Sequence, residues 1–418
     1  MSSSLKFNSA HRLPLGMEFC LTRQAVLDRN HALAGHHLSF HADRSAHSPG
    51  AILLAALDPT LVRMLSAGTT YLDVDAETVL AAIPSSIPRD HVIYNLLPGT
   101  IPTPELMTRM QDLALQGMRF AVDIRRDGPE LHALLPHVHA VRLDVACMEP
   151  AEAGRLCQLA RRQGRQAVAR SVDTMALFEQ CLALGFDALQ GSYFAEPHFP
   201  KGKTLQPTQL AIASLMSLIA SDADDADIEH AIKSDIALSL NLLRLVNTAA
   251  VSSHRIGSLR QALMILGRSQ LQRWLQILLY SEAGQLGPVV VPLLAMAAAR
   301  GRLMELLAQT ACPGNRSVAD TAFTVGIMSL METLFSLPMN EIVAQLPVLE
   351  EVSEALLERA GMFGRMLRLV EALERQEGKD GMSGIAPLLK EFRVAHSDLY
   401  ALQLAAFEWS DRICNVAA

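Results

Sequence analysis

The chain has 418 residues, a length that suits two or three domains. Half of the residues are hydrophobic and 19% are charged, a balance that excludes a disordered chain. The net charge of −7 gives no indication of binding to nucleic acid or to an acidic membrane. Six dispersed cysteines, none in a Cys-x-x-Cys pair, argue against a disulfide framework and a zinc ribbon. With no signal peptide or membrane span evident in the sequence, we expect a cytoplasmic protein.

The first half of the chain alternates between short apolar runs and amphipathic stretches. Strands are predicted at residues 70–74, 91–96, 120–123, 141–145, 167–169 and 188–190. The helical patterns between them end at Gly117, Gly164 and Gly185, where a helix favours a glycine cap. The repeated order of strand, helix and glycine predicts βα units on a parallel sheet, in sufficient number for a (β/α) barrel.

A cluster of proline, glycine and lysine at residues 198–206 predicts a domain boundary. We therefore divide the chain into a barrel domain at residues 1–204 and a second domain at residues 205–418. The second part has helical periodicity throughout, as in the apolar stripe of Ile232, Ile236, Leu240 and Leu243. The predicted fold class is α/β followed by all-α.

Three stretches of the second half resemble the HDOD domain. They run from Asp235 to Ala249, from Ile256 to Gly267 and from Ala322 to Leu330. The resemblance implies a signalling or protein-interaction module without catalysis. Residues 205–418 contain three histidines and no His-Asp dipeptide, so an HD-type metal site cannot be assembled from them.

The first half is similar to the EAL domain, the (β/α) barrel of cyclic-di-GMP phosphodiesterases. The resemblance is carried by Arg23-Gln24, Asp28-Arg29-Asn30, Ala34-Gly35 and above all by Leu184–Gly191. The order of the two halves resembles the EAL–HDOD (YuxH-type) bacterial signal-transduction architecture. It implies a site in which carboxylates and an amide hold two divalent cations, assisted by a glutamate base and a lysine.

When the site residues of the family are transferred to this chain one by one, several positions hold a different type of residue. The corresponding positions are His37, Asp73, Asn95, Asp123, Arg142, Arg170, Asp173 and Gln190. Among them Asp123, Asp173 and Gln190 keep an oxygen ligand, and Asp73 is left open as a fourth. Arg142 and Arg170 add positive charge where two divalent cations would need several carboxylates. We therefore expect a degenerate site with no catalytic residues, no metal and no cofactor, in a protein that is not an enzyme.

The expected function is that of a non-catalytic signalling adaptor or regulator in cyclic-di-GMP-linked pathways. It would contact other signalling proteins through its HDOD domain, with no nucleic acid or membrane partner, and a homo-oligomer is left open. Binding of cyclic-di-GMP is not expected, because His41 occupies the position of a nucleotide-contacting arginine. The alternatives are a non-hydrolysing cyclic-di-GMP receptor and a weak or altered metal-dependent phosphodiesterase.

Overall fold

The computed structural model describes residues 19–42, 58–81, 83–84, 86–199, 207–221, 224–233, 242, 259–281, 290–346, 348–374 and 385–417. Of the stretches that resemble the HDOD domain, residues 235–241, 243–249 and 256–258 lie outside these ranges, as does most of the predicted apolar stripe. The chain forms two compact units. One contains the residues up to Glu196 together with Leu369–Arg412, and the other contains Pro197–Arg368 with Ile413–Ala418.

The first unit contains a closed barrel of eight strands, which confirms the predicted barrel. The strands are β1 (Phe19–Asp28), β2 (Leu33–Ala42), β3 (Thr70–Val74), β4 (Val92–Leu96), β5 (Arg119–Ile124), β6 (Ala140–Asp144), β7 (Gln166–Arg170) and β8 (Ala188–Gln190). Strand β1 is antiparallel to both of its neighbours, β2 and β8, and the other pairs are parallel. The carboxyl ends of β2 to β8 therefore meet at one end of the barrel.

The strands predicted from residue 70 onward lie within about one residue of their observed positions. The structure adds the antiparallel hairpin of β1 and β2, which the apolar runs did not predict. These strands carry Arg23, Gln24, His36 and His37 in their middle, so their sequence is not an uninterrupted apolar run. A strand with polar residues on both faces lacks the simple signal on which the prediction depends.

Helices connect the parallel strands. They are α1 (Pro59–Ser66), α2 (Ala76–Leu80), α3 (Pro104–Leu115), α4 (Pro129–Leu134), α5 (Pro150–Arg162) and α6 (Met175–Leu184). The side chains of Asp58, Thr103 and Thr174 cap α1, α3 and α6 by accepting bonds from free backbone N–H groups. Gly185 ends α6 with a φ of 93°, a left-handed conformation that glycine adopts without steric cost.

Small and apolar side chains form one buried layer inside the barrel. Its members are Val26, Tyr71, Ile93, Ala121, Ala140, Val168 and Ala188. Side chains on the same face of a strand are two residues apart, so the next inward positions lie one layer nearer the carboxyl ends. On every one of these strands that next position is polar or charged, and the result is a ring described below.

The second unit is helical, as predicted. The helices described beyond the barrel are α7 (Pro207–Ala220), α8 (Asp225–Lys233), α9 (Leu259–Ser281), α10 (Val290–Ala311), α11 (Arg316–Met328), α12 (Met331–Phe335), α13 (Met339–Gln345), α14 (Glu350–Glu358), α15 (Gly361–Glu374), α16 (Ala386–Glu391) and α17 (His396–Ala417). The two helices predicted on either side of Gly267 meet within α9 at a break, where that glycine has a non-helical φ of 70° and ψ of 165°. The pattern predicted at 353–374 is instead interrupted at Arg359, which has a φ of 55°.

Helices α10 and α11 approach each other closely through two glycines. A Cβ atom on Gly326 would lie 2.6 Å from the Cα of Gly301, so a larger residue at either position would separate the helices. A partly buried ion cluster joins these helices to α9. Arg273 contacts Glu305 and Asp320 at 2.5 Å each, and its guanidinium lies 4.7 Å from the centre of the Phe323 ring.

The helices that follow Leu369 group with the barrel, although the sequence assigned them to the helical domain. Apolar residues of α17, among them Leu399, Tyr400 and Leu402, are buried, and Gln403 bonds the backbone of β1. The domain boundary that we placed between residues 204 and 205 remains a prediction. None of the described helices is both long enough and apolar enough to span a bilayer.

Candidate functional site

Eight polar side chains, one from each strand, form a ring at the carboxyl ends of the parallel strands. They are Gln24, His37, Asp73, Asn95, Asp123, Arg142, Arg170 and Gln190. Each except His37 lies two residues from a member of the apolar layer, on the same face of its strand, and in the antiparallel β1 Gln24 precedes Val26. All except Gln24 are less than 10% exposed. The structure therefore brings together seven of the eight positions identified from the sequence.

One side of the ring is organised around the carboxylate of Asp73. His37 Nε2 lies 2.8 Å from Asp73 Oδ1, and the Asn95 side-chain amide donates to the same oxygen over 2.6 Å. The Ser39 hydroxyl donates to Asp73 Oδ2 over 2.8 Å. Burial opposes ionisation of this carboxyl, but the adjacent His37, the Arg142 guanidinium and the Asn95 amide hold its pKa below the usual range.

The opposite side of the ring is organised around the carboxylate of Asp123. Arg170 contacts Asp123 Oδ2 at 2.5 Å, and Arg142 Nε lies 3.4 Å from Asp123 Oδ1. Arg142 also reaches Asp73 Oδ1 at 3.7 Å, so one guanidinium lies between the two carboxylates. Burial lowers the pKa of Arg142, whereas Asp123 raises it, and an arginine remains a cation under such conditions.

Gln190 connects the two sides of the ring. Its carbonyl oxygen accepts from the Arg142 guanidinium, and its amide nitrogen donates to Gln24 Oε1 at 2.5 Å and to His37 Nδ1 at 2.9 Å. His37 thus accepts at Nδ1 and donates from Nε2, which defines its tautomer. The next residue is Gly191, and a Cβ there would lie 1.9 Å from the carbonyl oxygen of Val172. This contact explains why glycine follows Gln190.

The donor set does not fit a pair of divalent cations in this arrangement. The oxygens of Asp73 and Asp123 are already engaged by guanidinium, imidazole and amide groups, and two guanidiniums stand where a cation would need to approach. In the described ranges no group of three or more His, Cys, Asp or Glu side chains is arranged to hold a metal ion. Two carboxylates and two guanidiniums leave the ring without the excess negative charge that hard cations require.

Asp173 is the one predicted site residue that lies outside the ring. It is exposed in the segment after β7, where it accepts from the backbone N–H and the hydroxyl of Ser192 at 3.0 and 2.8 Å. The sequence argument did not select Gln24, Ser39 or Asp144 as site residues. Alternation along the strands could have found Ser39 and Asp144, since each lies two residues beyond a predicted position on the same strand.

Comparison with known proteins supports both halves of the sequence interpretation. The HDOD domain family matches residues 205–368. The chain is 29% identical over 315 residues to the cyclic di-GMP phosphodiesterase CdgJ of Vibrio cholerae, a match that covers 73% of this chain and 71% of CdgJ. It is 23% identical over 416 residues to YuxH of Bacillus subtilis, which covers 96% of this chain and all of YuxH.

Solved structures of EAL domains match the barrel. The PaMucR phosphodiesterase in complex with c-di-GMP is 16% identical, with a TM-score of 0.35, covering 46% of this chain and 99% of that one. The FimX EAL domain of Xanthomonas citri, also in complex with c-diGMP, is 14% identical, with a TM-score of 0.33, covering 43% of this chain and 87% of that one.

These findings correct two expectations. The expectation that the chain is not an enzyme is wrong in view of its similarity to CdgJ, a named phosphodiesterase. The charge count on which it depended considered only metal binding, whereas arginines also stabilise the charge that develops in phosphoryl transfer. The expectation against binding of cyclic-di-GMP is wrong as well, in view of the similarity of this chain to CdgJ, which is named for that nucleotide. That expectation depended on His41 replacing one arginine, whereas the ring contains two other guanidinium groups, those of Arg142 and Arg170, and guanidinium groups bind phosphate without a metal.

The family match and the barrel describe different parts of the chain. The match to YuxH extends over nearly the whole length of both chains. Residues 205–368 match the HDOD domain family, and the closed eight-stranded barrel precedes them in the chain.

Proposed function

We propose that the protein acts in cyclic-di-GMP signalling and that the polar ring of its barrel binds the nucleotide. The observation that carries this proposal is the pair of arginines at the carboxyl ends of the strands, where barrels of this class hold their ligands. Arg142 is fully buried, whereas Arg170 is 9% exposed, so a ligand that enters the mouth meets Arg170 first. The similarity to CdgJ supports the identity of the nucleotide.

The chemistry of binding follows from the charges already present. A guanidinium offers two parallel N–H donors to a phosphodiester, and a bond between charged groups is about twice as strong as a neutral one. If Arg170 turns toward a phosphate, Asp123 keeps Arg142 as its counter-charge. The arginines supply the positive charge, and binding therefore does not require added divalent cations.

Calorimetric titration of the purified full-length protein with cyclic-di-GMP in EDTA tests this proposal. We expect binding without added metal, about tenfold weaker in Arg170→Ala and less strongly reduced in Arg170→Lys, which keeps the charge without the planar fork. Arg165→Ala is the matched control, because Arg165 precedes the same strand at its opposite end and bonds the Pro136 carbonyl. Absence of binding in the wild type, or equal losses in Arg165→Ala and Arg170→Ala, would contradict the proposal.

Hydrolysis of cyclic-di-GMP is a second candidate function, favoured by the similarity to CdgJ over 71% of that enzyme. Its test is conversion of the nucleotide to a linear dinucleotide in the presence of Mg²⁺ or Mn²⁺. We expect turnover to disappear in Asp123→Asn and to persist in Asp127→Asn, which changes an exposed carboxylate paired with His132. Turnover that is unchanged in Asp123→Asn would exclude the ring as its site.

We also propose that the helical part transmits the signal by binding other proteins in the cytoplasm. The HDOD match at residues 205–368 supports this role. Cross-linking in cells, followed by mass spectrometry, should find partner cross-links mainly within residues 205–368. Cross-links that concentrate on the barrel surface instead would contradict the assignment of the interaction to the helical part.

A further inference from the structure

The barrel has an incompletely paired edge at its first strand. In the described part of the sheet, β8 pairs only with Val26–Asp28 of β1, whereas β2 pairs with β1 from Phe19 to Leu27. On that side, β8 does not reach the backbone of Leu21 in the described sheet. Unpaired backbone groups at a sheet edge need a cover or another partner.

Helix α17 supplies that partner through the side chain of Gln403. The amide of Leu21 donates to Gln403 Oε1 over 2.9 Å, and Gln403 Nε2 donates to the Leu21 carbonyl over 2.6 Å. Gln403 is 2% exposed. A glutamine side chain carries one acceptor and a donor group in nearly the geometry of a peptide unit, so here it replaces one residue of a missing strand.

Two further residues on the same face of α17 bind the next outward side chain of β1. Asp411 accepts from Arg23 over 2.6 Å, and the Arg23 guanidinium lies 5.4 Å from the centre of the Phe407 ring. Gln403, Phe407 and Asp411 are four residues apart and therefore form one stripe on the helix. Arg23 also contacts His36 Nε2 of β2 at 2.8 Å, so the stripe reaches both strands of the hairpin.

The residues that follow Arg23 and His36 belong to the polar ring. Because side chains alternate across a strand, Arg23 and His36 point outward and Gln24 and His37 point inward. Gln24 and His37 face each other in the register of the hairpin, and both bond the amide of Gln190. Arg23 and His36, through which α17 contacts the hairpin, are thus adjacent in sequence to Gln24 and His37 of the ring.

We propose that α17 is a clamp that closes the β1 edge and positions Gln24 and His37 within the ring. It is a positioning element, since α17 acts on the ring through the hairpin. The chain leaves the barrel unit at Pro197 and returns to it at Leu369, after the residues that match the HDOD family. The barrel site accordingly depends on a helix that the sequence places at the far end of the chain.

Hydrogen–deuterium exchange of the full-length protein tests the clamp without any nucleotide. In Gln403→Leu we expect amides of β1 between Phe19 and Ala25 to exchange about tenfold faster, as the loss of a buried hydrogen bond predicts. Amide exchange should also become faster in β2 and in the segment that contains Gln190 and Gly191. Glu408→Gln is the matched control, because Glu408 lies on the same helix but bonds Arg63 and Arg412 at the surface.

Asp411→Asn serves as a milder second variant, since its side chain is 27% exposed and its replacement does not leave a buried cavity. We expect a smaller acceleration of exchange in the same strands. Unchanged exchange of β1 in both variants would show that α17 does not hold the edge. Faster exchange that stops at β1 and leaves β2 and Gln190 as in the wild type would overturn the positioning role.

Discussion

Arg170 and Asp123 form a 2.5 Å ion pair across the mouth of the barrel, and Arg142 from the strand between them lies 3.4 Å from the same carboxylate. The pair is buried, with Asp123 at 2% exposure. A carboxylate that faces two guanidiniums in such a place balances charges that would otherwise be costly to bury. The contacts of Asp123 therefore affect both the stability of the barrel and the availability of Arg170 for a ligand.

Replacement of Asp123 by asparagine should destabilise the barrel. Arg142 would lose its nearest carboxylate while still fully buried, and removal of one partner of a buried ion pair costs about 3 kcal/mol. The protein has two tryptophans, and Trp409 belongs to the barrel unit, so a Trp274→Phe background makes its fluorescence a specific probe of urea unfolding. Asp127→Asn is the surface control, and equal midpoints for the two variants would contradict the expectation.

Acid should destabilise the barrel through His36. Burial and the neighbouring Arg23 hold the pKa of His36 well below its ordinary value, whereas the unfolded chain takes up the proton near pH 6.5. The unfolded state therefore binds more protons as pH falls, and the stabilisation present above about pH 6.5 is lost below it. Asp411, the acidic partner of Arg23, does not reverse this direction.

The measurement is the stability of wild type and His36→Gln at pH 7.5 and 5.5. Between these values the wild type should lose about 1 kcal/mol more than the variant, since each pH unit changes the free energy by at most about 1.4 kcal/mol per group. Glutamine can still accept a hydrogen bond from Arg23. His132→Gln, at an exposed position, should follow the wild type, and parallel curves for all three proteins would refute a role of His36.

Alanine at position 191 should disturb the mouth of the barrel. The added Cβ would lie 1.9 Å from the carbonyl oxygen of Val172 and 2.6 Å from its nitrogen, so the backbone beside Gln190 must move. Overpacking of this kind costs about 1–3 kcal/mol, and we expect the upper end because the contact is with backbone. Thermal unfolding of Gly191→Ala, compared with Gly68→Ala, where a Cβ meets no atom within 4 Å, measures the effect. A Gly191→Ala midpoint no lower than that of Gly68→Ala would contradict this reading.

The helical unit should depend on Glu305 in a similar way. Glu305 is 4% exposed and contacts Arg273 at 2.5 Å and Arg302 at 2.6 Å. Glu305→Gln removes the counter-charge that Arg273 and Arg302 share, while Asp320 still pairs with Arg273, so the stability of this unit should fall by about 2 kcal/mol. Trp274 lies next to Arg273 in the sequence, so its fluorescence in a Trp409→Phe background reports the unfolding of this unit. Glu358→Gln changes an exposed side chain and should have no effect, and a matching loss there would indicate a general charge effect.

Much of the barrel could be predicted because its signals are local. The run of residues 70–74 and the run of residues 188–190 appear as strands at their predicted positions, since an apolar run between turn signals depends only on neighbouring residues. The hairpin of β1 and β2 was harder, because Arg23 and His36 on its outer face are covered by a helix nearly 400 residues later. Burial by a distant element leaves no mark in a local pattern.

The candidate site was predictable in its positions and not in its contacts. The likeness to EAL domains located Asp73, Asp123, Arg142 and Gln190 on their strands, and all four lie in the ring. Asp173 looked equivalent in the sequence but bonds Ser192 outside the ring. Asp173 lies three residues beyond the end of β7, where alternation no longer determines the direction of a side chain.

The sequence by itself determined that this protein has an α/β barrel followed by helices, and which residue types stand at the ends of the strands. Those properties depend on periodicity and on turn chemistry within short segments. Only the tertiary structure decided that Arg142 lies between Asp73 and Asp123, and that Gln403 completes the edge of β1. Such contacts join residues tens to hundreds of positions apart, and their geometry exists only after the barrel has closed and the chain has returned to it.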